Sequence, residues 1–233
     1  LGAEGAITPR ASDPWYGPVL EASRAIEVVF GFVQKDARER FTIASAYLSG
    51  GETLHIHHKI YLPTYGMFDE ARYFDAGESA HAFDTRFGRV GMLICEDFWH
   101  VSPAYLLWTD GADLMIFTSA SPSRGLDGSD RLSGSRWVEL VNQAYASLFT
   151  SYILHCNRVG FEHGKNFWGG SSVAAPDGEF PLHGHYFDEA LLTCTIDLND
   201  IHRTRSRLPL LRDENPHLVL RELGRALKRE GEA

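Results

Sequence analysis

Residues 88–100 read GRVGMLICEDFWH, and the fold turns on the first half of that run. RVGMLIC (89–95) is nearly continuously apolar, as expected of a strand covered on both faces. A second run of that kind, DLMIFTS, follows at 113–119 with helical residues between the two, which makes a β-α-β unit. From Gly134 onward, Trp137, Leu140, Val141, Ala144 and Leu148 recur at helical spacing and predict a helix laid on a sheet by that face. SYILHC (151–156) then reads as another covered strand, completing a second crossover. Upstream, EVVFGFV (27–33), FTIASAYL (41–48) and TLHIHH (53–58) predict consecutive antiparallel strands, with SGGE (49–52) as a hairpin turn. Downstream, SSVAAP, PDG and EFPL predict a hairpin over 171–182, and ALLTCTIDL (190–198) a further strand. Mixed strands with helices against the sheets predict a single α/β domain over 1–233, a layered sandwich ending in a helical tail from about 199 to 233.

Composition narrows the function. With 22 Lys and Arg against 31 Asp and Glu, the net charge is −9, which argues against tracking nucleic-acid phosphates or anionic lipid. From Ile201 to Ala233 eight basic residues face five acidic ones, so the rest of the chain carries about −12. A basic tail on an acidic body is read either as a docking element between or within subunits or as a solvated charged helix. Three cysteines without a CxxC pair predict no disulfide framework. No apolar run is long enough to span a bilayer, and a cytoplasmic protein is expected.

Cys95 ends its strand where the chain must turn toward a helix. Backbone N–H groups at a helix start lower a thiol's pKa and can hold an oxyanion, so the position suits a nucleophile; a lone cysteine is also commonly a small buried hydrophobe. Upstream, Lys59 ends TLHIHHK and opens an aromatic loop that carries Asp69 and Glu70.

KIYLPTYGMFDEARYF (59–74) followed by GRVGMLICEDFWH (88–100) resembles the nitrilase, or carbon–nitrogen hydrolase, superfamily. The branch it is most similar to includes the glutaminase domain of glutamine-dependent NAD synthetases. GADLMIFTSASPSRG (111–125), NRVGFEHGKNFWGGSSVAAPDG (157–178) and RLPLLRDENPHLVLREL (207–223) extend the resemblance to roughly 23–223. It implies a four-layer αββα sandwich and a cysteine-dependent amidase, releasing ammonia from a small carboxamide such as a glutamine-type amide through a thioester. An acyltransferase using the same cysteine is its close variant. Carried onto this sequence, the resemblance implies Cys95 as nucleophile, Lys59 as the cation at the oxyanion, Glu70 as a positioning carboxylate and the Glu96 N–H as a second oxyanion donor. It implies no cofactor and a homo-oligomer; with no synthetase domain following in the sequence, any ammonia-using synthetase is expected to be a separate protein.

One part of the pattern is missing. The family's general-base Glu lies on an early strand-end segment, whereas residues 1–26 offer only Glu4, Asp13 and Glu21 in the wrong context. The expectation is a chain lacking a first strand, a first helix and its base, with sheet surface left open; the second function reading is therefore a catalytically incomplete or scaffold subunit. Pocket roles are weighed for Tyr65, Phe68, Trp99, Arg124, Asn157, Arg158, Phe167 and Trp168, each against ordinary packing or loop capping. His55, His57 and His58 form HxHH; alternation puts His55 and His57 on one face, and that pair with His100 or Asp97 is weighed as a metal set against ordinary strand histidines, the latter reading being preferred, with no metal expected. Cys156 and Cys194 are expected inside apolar strands and inert.

Overall fold

The structure is a computed structural model in which residues 5–123 and 133–230 are described. Nine of its strands form two sheets. β1 (Val28–Lys35), β2 (Phe41–Ser49) and β3 (Glu52–His58) make an antiparallel sheet in that order. β4 (Phe83–Thr85), β5 (Gly88–Ile94), β6 (Leu114–Ser119), β7 (Tyr152–Asn157), β10 (Ser172–Ala174) and β11 (Leu182–His183) make a mixed one, ordered β11-β10-β7-β6-β5-β4. Its centre, β5-β6-β7, is parallel. Helices α2 (Val101–Thr109) and α3 (Ser133–Phe149) supply the two crossovers, and β8 (Val159–Glu162) pairs with β9 (Lys165–Trp168) in a separate hairpin.

Three apolar seams hold four layers together. Helix α1 (Tyr16–Ala22) packs Tyr16, Val19 and Leu20 on Ala46, Leu48, Phe30 and Phe32 of the small sheet. Tyr47 and Val29 meet Val90, Met92, Leu114 and Tyr152 between the sheets. Leu93, Met115, Phe117 and Ile153 pack against Leu107, Trp108, Val138, Tyr145 and Phe149 of α2 and α3. Along β5 and β6 the side chains therefore alternate between the sheet–sheet seam (Val90, Met92, Leu114, Ile116) and the helix seam (Leu93, Met115, Phe117). Each seam side is apolar, which is why both strands read as continuous hydrophobic runs. This is the expected αββα sandwich.

Three expectations are corrected. Residues 190–198 form no strand: the segment is largely exposed, with Leu191 94% exposed, because it has no strand to ladder with among the described residues. Helix α3 exposes Trp137, Leu140 and Leu148 and instead buries Val138, Asn142, Tyr145, Ala146 and Phe149. Both stripes are apolar at helical spacing; the second prevails because Phe149 stacks on Trp108 (5.1 Å) and Tyr145 on Phe149 (5.2 Å). Cys156 lies in β7 but is exposed, and Cys194 is exposed outside any strand. The charged tail is helical, as α4 (Asn199–Arg207), α5 (Leu210–Asp213) and α6 (Pro216–Glu230).

Three strands cannot cover six. A groove of about 790 Å³ stays open between the sheets, lined by Val29, Ile116, Leu154, Cys156, Val173 and Leu191 among others. No helix among the described residues is long and apolar enough to cross a membrane.

Candidate active site

Lys59 follows the last residue of β3. Its N–H donates to the Ile43 carbonyl and its own carbonyl accepts from Gly77, both at 2.8 Å. A Cβ on Gly77 would stand 2.1 Å from the His58 carbonyl oxygen, so this close return of the chain requires glycine. The Lys59 side chain is 2% exposed and its ammonium donates to Glu70 Oε2 at 2.5 Å. Glu70 opens a 3-10 turn, with its N–H on the Pro63 carbonyl. Burial pushes its carboxyl upward, Lys59 opposes that shift, and Glu96 and Asp97 add to it.

Cys95 sits at the end of β5, the first residue of a 3-10 turn over Cys95–Trp99, with φ at +48°. That left-handed conformation is unfavourable for a residue with a Cβ and marks a sharp strand-to-turn reversal. Burial pushes the Cys95 thiol up; Lys59 pulls it down, while Glu70, Glu96 and Asp97 push the same way as burial. The sulfur lies between two hollows. One is an open cavity of about 900 Å³ lined also by Lys59, Phe68, Glu70, Ser119 and Cys156. The other is a small apolar recess formed with Pro63, Phe68, Glu96, Trp99 and Trp168. The structure thus brings Cys95, Lys59, Glu70, Glu96, Trp99 and Phe68 together from separate stretches of chain. The groove between the sheets does not reach Cys95.

The other expected residues divide. The Tyr65 hydroxyl donates to both Glu96 oxygens (2.8 and 3.0 Å), so Tyr65 touches the site through that carboxylate. Asn157 lines the large cavity, but its amide is spent on loops: Oδ1 accepts from Ser119 Oγ and the Ser121 N–H, and Nδ2 donates to the Gly169 carbonyl. Phe167 is buried in β9 beneath the Arg158 guanidinium (4.6 Å) and lines neither hollow, while its neighbour Trp168 walls the recess. Arg124 and Glu4 lie outside the described residues. Glu21 is on α1, paired with Arg24 on the exposed surface.

The histidines serve separate ends. His55 stacks on Phe83 (4.4 Å), and His58 bonds Gln34 (2.9 Å). His100 stacks on Tyr61, and His57 Nε2 meets Asp97 Oδ2 at 2.9 Å. No group of three His, Cys, Asp or Glu among the described residues is placed to hold a metal. Sequence reading missed the second contribution of Asp97, whose other oxygen accepts the N–H groups of Ile60 and Tyr61. Its place two residues after a strand-end Cys was the available signal.

A carbon–nitrogen hydrolase family model matches residues 22–206. Glutamine-dependent NAD(+) synthetase of Thermotoga maritima is 36% identical over 180 residues, 75% of this chain and 29% of that protein. N-carbamoylputrescine amidase of Oryza sativa is 27% identical over 221 residues, covering 90% of this chain and 73% of that one. The crystal structure of a carbon–nitrogen hydrolase from Helicobacter pylori superposes with a TM-score of 0.78 at 22% identity, over 90% of this chain and 77% of that one. The chain therefore spans less than a third of the Thermotoga synthetase it resembles.

Proposed function

The chain belongs to the carbon–nitrogen hydrolase family, and from that membership we propose that it is a cysteine-dependent amidase acting on a small carboxamide. The observation that carries the reading is the convergence of Cys95, in its left-handed turn, with the buried Lys59–Glu70 pair on one cavity.

The Cys95 sulfur attacks the amide carbon; a C–S bond forms and the carbonyl π pair moves to oxygen. The Lys59 ammonium and the Glu96 N–H stabilise that alkoxide, and Glu70 holds the ammonium in place. The alkoxide collapses, the C–N bond breaks, and the nitrogen departs as ammonia with the proton that left the thiol. Water then adds to the thioester, releasing the acid and restoring the thiol. An amide is a poor electrophile, and the thioester divides one high barrier into two lower ones.

Similarity to the synthetases supports a glutamine-type amide whose ammonia passes to a synthetase active site. Similarity to the amidases supports carbamoyl amines as the rival substrates. A second reading is favoured by one observation: among the described residues, each carboxylate acting on Cys95 is already engaged, Glu70 by Lys59, Glu96 by Tyr65 and Asp97 by backbone donors. On that reading the chain is acylated once without turning over and serves as a scaffold subunit. Ammonia release from glutamine, an N-carbamoyl amine and simple aliphatic amides, measured alongside the intact mass of the protein, tests both. Steady ammonia release with an acyl adduct at Cys95 supports the amidase; an adduct without turnover supports the scaffold. Neither adduct nor ammonia from any of them overturns the assignment of Cys95.

A further inference from the structure

The amidase reading makes no use of the buried pair His57 and Asp97, 3% and 0% exposed. Both oxygens of that carboxylate are doubly engaged. Oδ1 accepts the N–H groups of Ile60 and Tyr61, each at 2.9 Å; Oδ2 accepts the N–H of Ile94 at 3.1 Å and the Nε2–H of His57 at 2.9 Å. The first two donors directly follow Lys59, the third directly precedes Cys95, and the fourth stands two residues before Lys59 in β3. A carboxylate has about four acceptor sites, and here all are filled.

The pair spans a joint that backbone pairing cannot set. Lys59 leaves the three-stranded sheet and Cys95 leaves the six-stranded one, and no ladder connects the two. Apolar packing between the sheets is non-directional, whereas hydrogen bonds fix distance and angle. We propose that Asp97 and His57 are positioning residues: Asp97 sets the placement of the Lys59 ammonium relative to the Cys95 sulfur, and the His57 N–H keeps Asp97 turned toward Ile94. This rests on reading Cys95 as the nucleophile and Lys59 as its cation. The charged groups acting on the sulfur are Lys59, Glu70, Glu96 and Asp97. Three are anions, so displacing the ammonium disfavours the thiolate.

The test is alkylation of Cys95 by iodoacetamide at pH 8, followed by mass spectrometry in a chain carrying Cys156→Ser and Cys194→Ser, since both of those thiols are exposed. Lys59→Ala should slow alkylation about tenfold, the effect of one pKa unit on the thiolate fraction. His57→Leu, which keeps bulk but loses the donor, should slow it about fivefold or more on the same scale, whereas His57→Gln, which keeps an N–H, should alkylate within about twofold of the parent. A slow Lys59→Ala with a parent-like His57→Leu overturns the proposal; a parent-like Lys59→Ala overturns the underlying pairing of Lys59 with Cys95 instead. Unfolding exposes the thiol and accelerates alkylation, the opposite sign. If His57→Leu does not fold, His57→Met takes its place, because it also lacks the donor and leaves the charge of Asp97 unchanged, and a parent-like rate there overturns the proposal too. A His57→Gln chain as slow as Lys59→Ala overturns it independently.

Discussion

Cys95 directly follows β5 and Cys156 is the last residue but one of β7, parallel strands of one sheet; the two thiols line one cavity, yet they stand in different chemical settings. The register Ile94↔Thr118↔Cys156 places Cys156 two strands across from the residue before Cys95. At about 4.8 Å per strand that is roughly 10 Å, beyond disulfide reach. Cys156 continues the extended strand on the sheet–sheet face. Cys95 adopts a positive φ and meets an ammonium and three carboxylates imported from β3, its following loop and its own turn. A strand end at a cavity supplies only position; the reversal and the imported charges set the proposed nucleophile apart from the other thiol.

The sharpest way to break this comparison is to delete each thiol. Cys95→Ala should abolish ammonia release, by at least about a thousandfold given the size of nucleophile effects, while Cys156→Ala should stay within about twofold; equal losses would erase the distinction. Lys59→Ala removes the proposed oxyanion donor and should lower kcat by about 10²–10³ with the fold retained, read from steady-state rates and circular dichroism. Asp97→Ala leaves three backbone N–H groups and His57 without their acceptor, which should cost about 3–5 kcal/mol in urea unfolding; a loss below about 1 kcal/mol would mean those donors find other partners.

The smallest effect concerns the residue beside Cys156. His155 faces the helix seam against Phe98 and Trp168, with Ser119 Oγ on Nε2 at 2.8 Å. Burial holds its imidazole down to about 3, so between that value and the unfolded value of about 6.5 the unfolded chain binds the extra proton. Stability should therefore be undiminished above pH 6.5 and fall as the pH drops through that window, by about 1.4 kcal/mol per unit from this residue. Comparing urea midpoints of the parent and His155→Gln at pH 7 and pH 5 should show a shallower acid loss in the variant.

Much of this was legible in the order of residues. The parallel strands showed as unbroken apolar runs because both of their faces are covered; Cys95 showed because it terminates such a run, and Lys59 because it ends a strand at the opening of an aromatic loop. The α3 face did not show, because that helix carries two apolar stripes and only the stacking of Tyr145, Phe149 and Trp108 decides between them. Residues 190–198 alternate like a strand, but a strand exists only where a neighbour completes its hydrogen bonds. Asp97 read as one more acid beside the cysteine; its four donors come from two stretches of chain, 57–61 and Ile94, that only the folded sheets bring together.

The three-on-six mismatch of the sheets also bears on how folding responds to temperature. The heat-capacity increment of unfolding follows newly exposed apolar surface, typically about 12–15 cal/mol/K per residue. Val29, Ile116, Leu154 and Val173 line the open groove and are only partly buried in the native state, so they contribute less on unfolding than sealed side chains would. The increment should fall below that norm, and the stability curve of this chain should be correspondingly flat, changing little between cool and warm conditions.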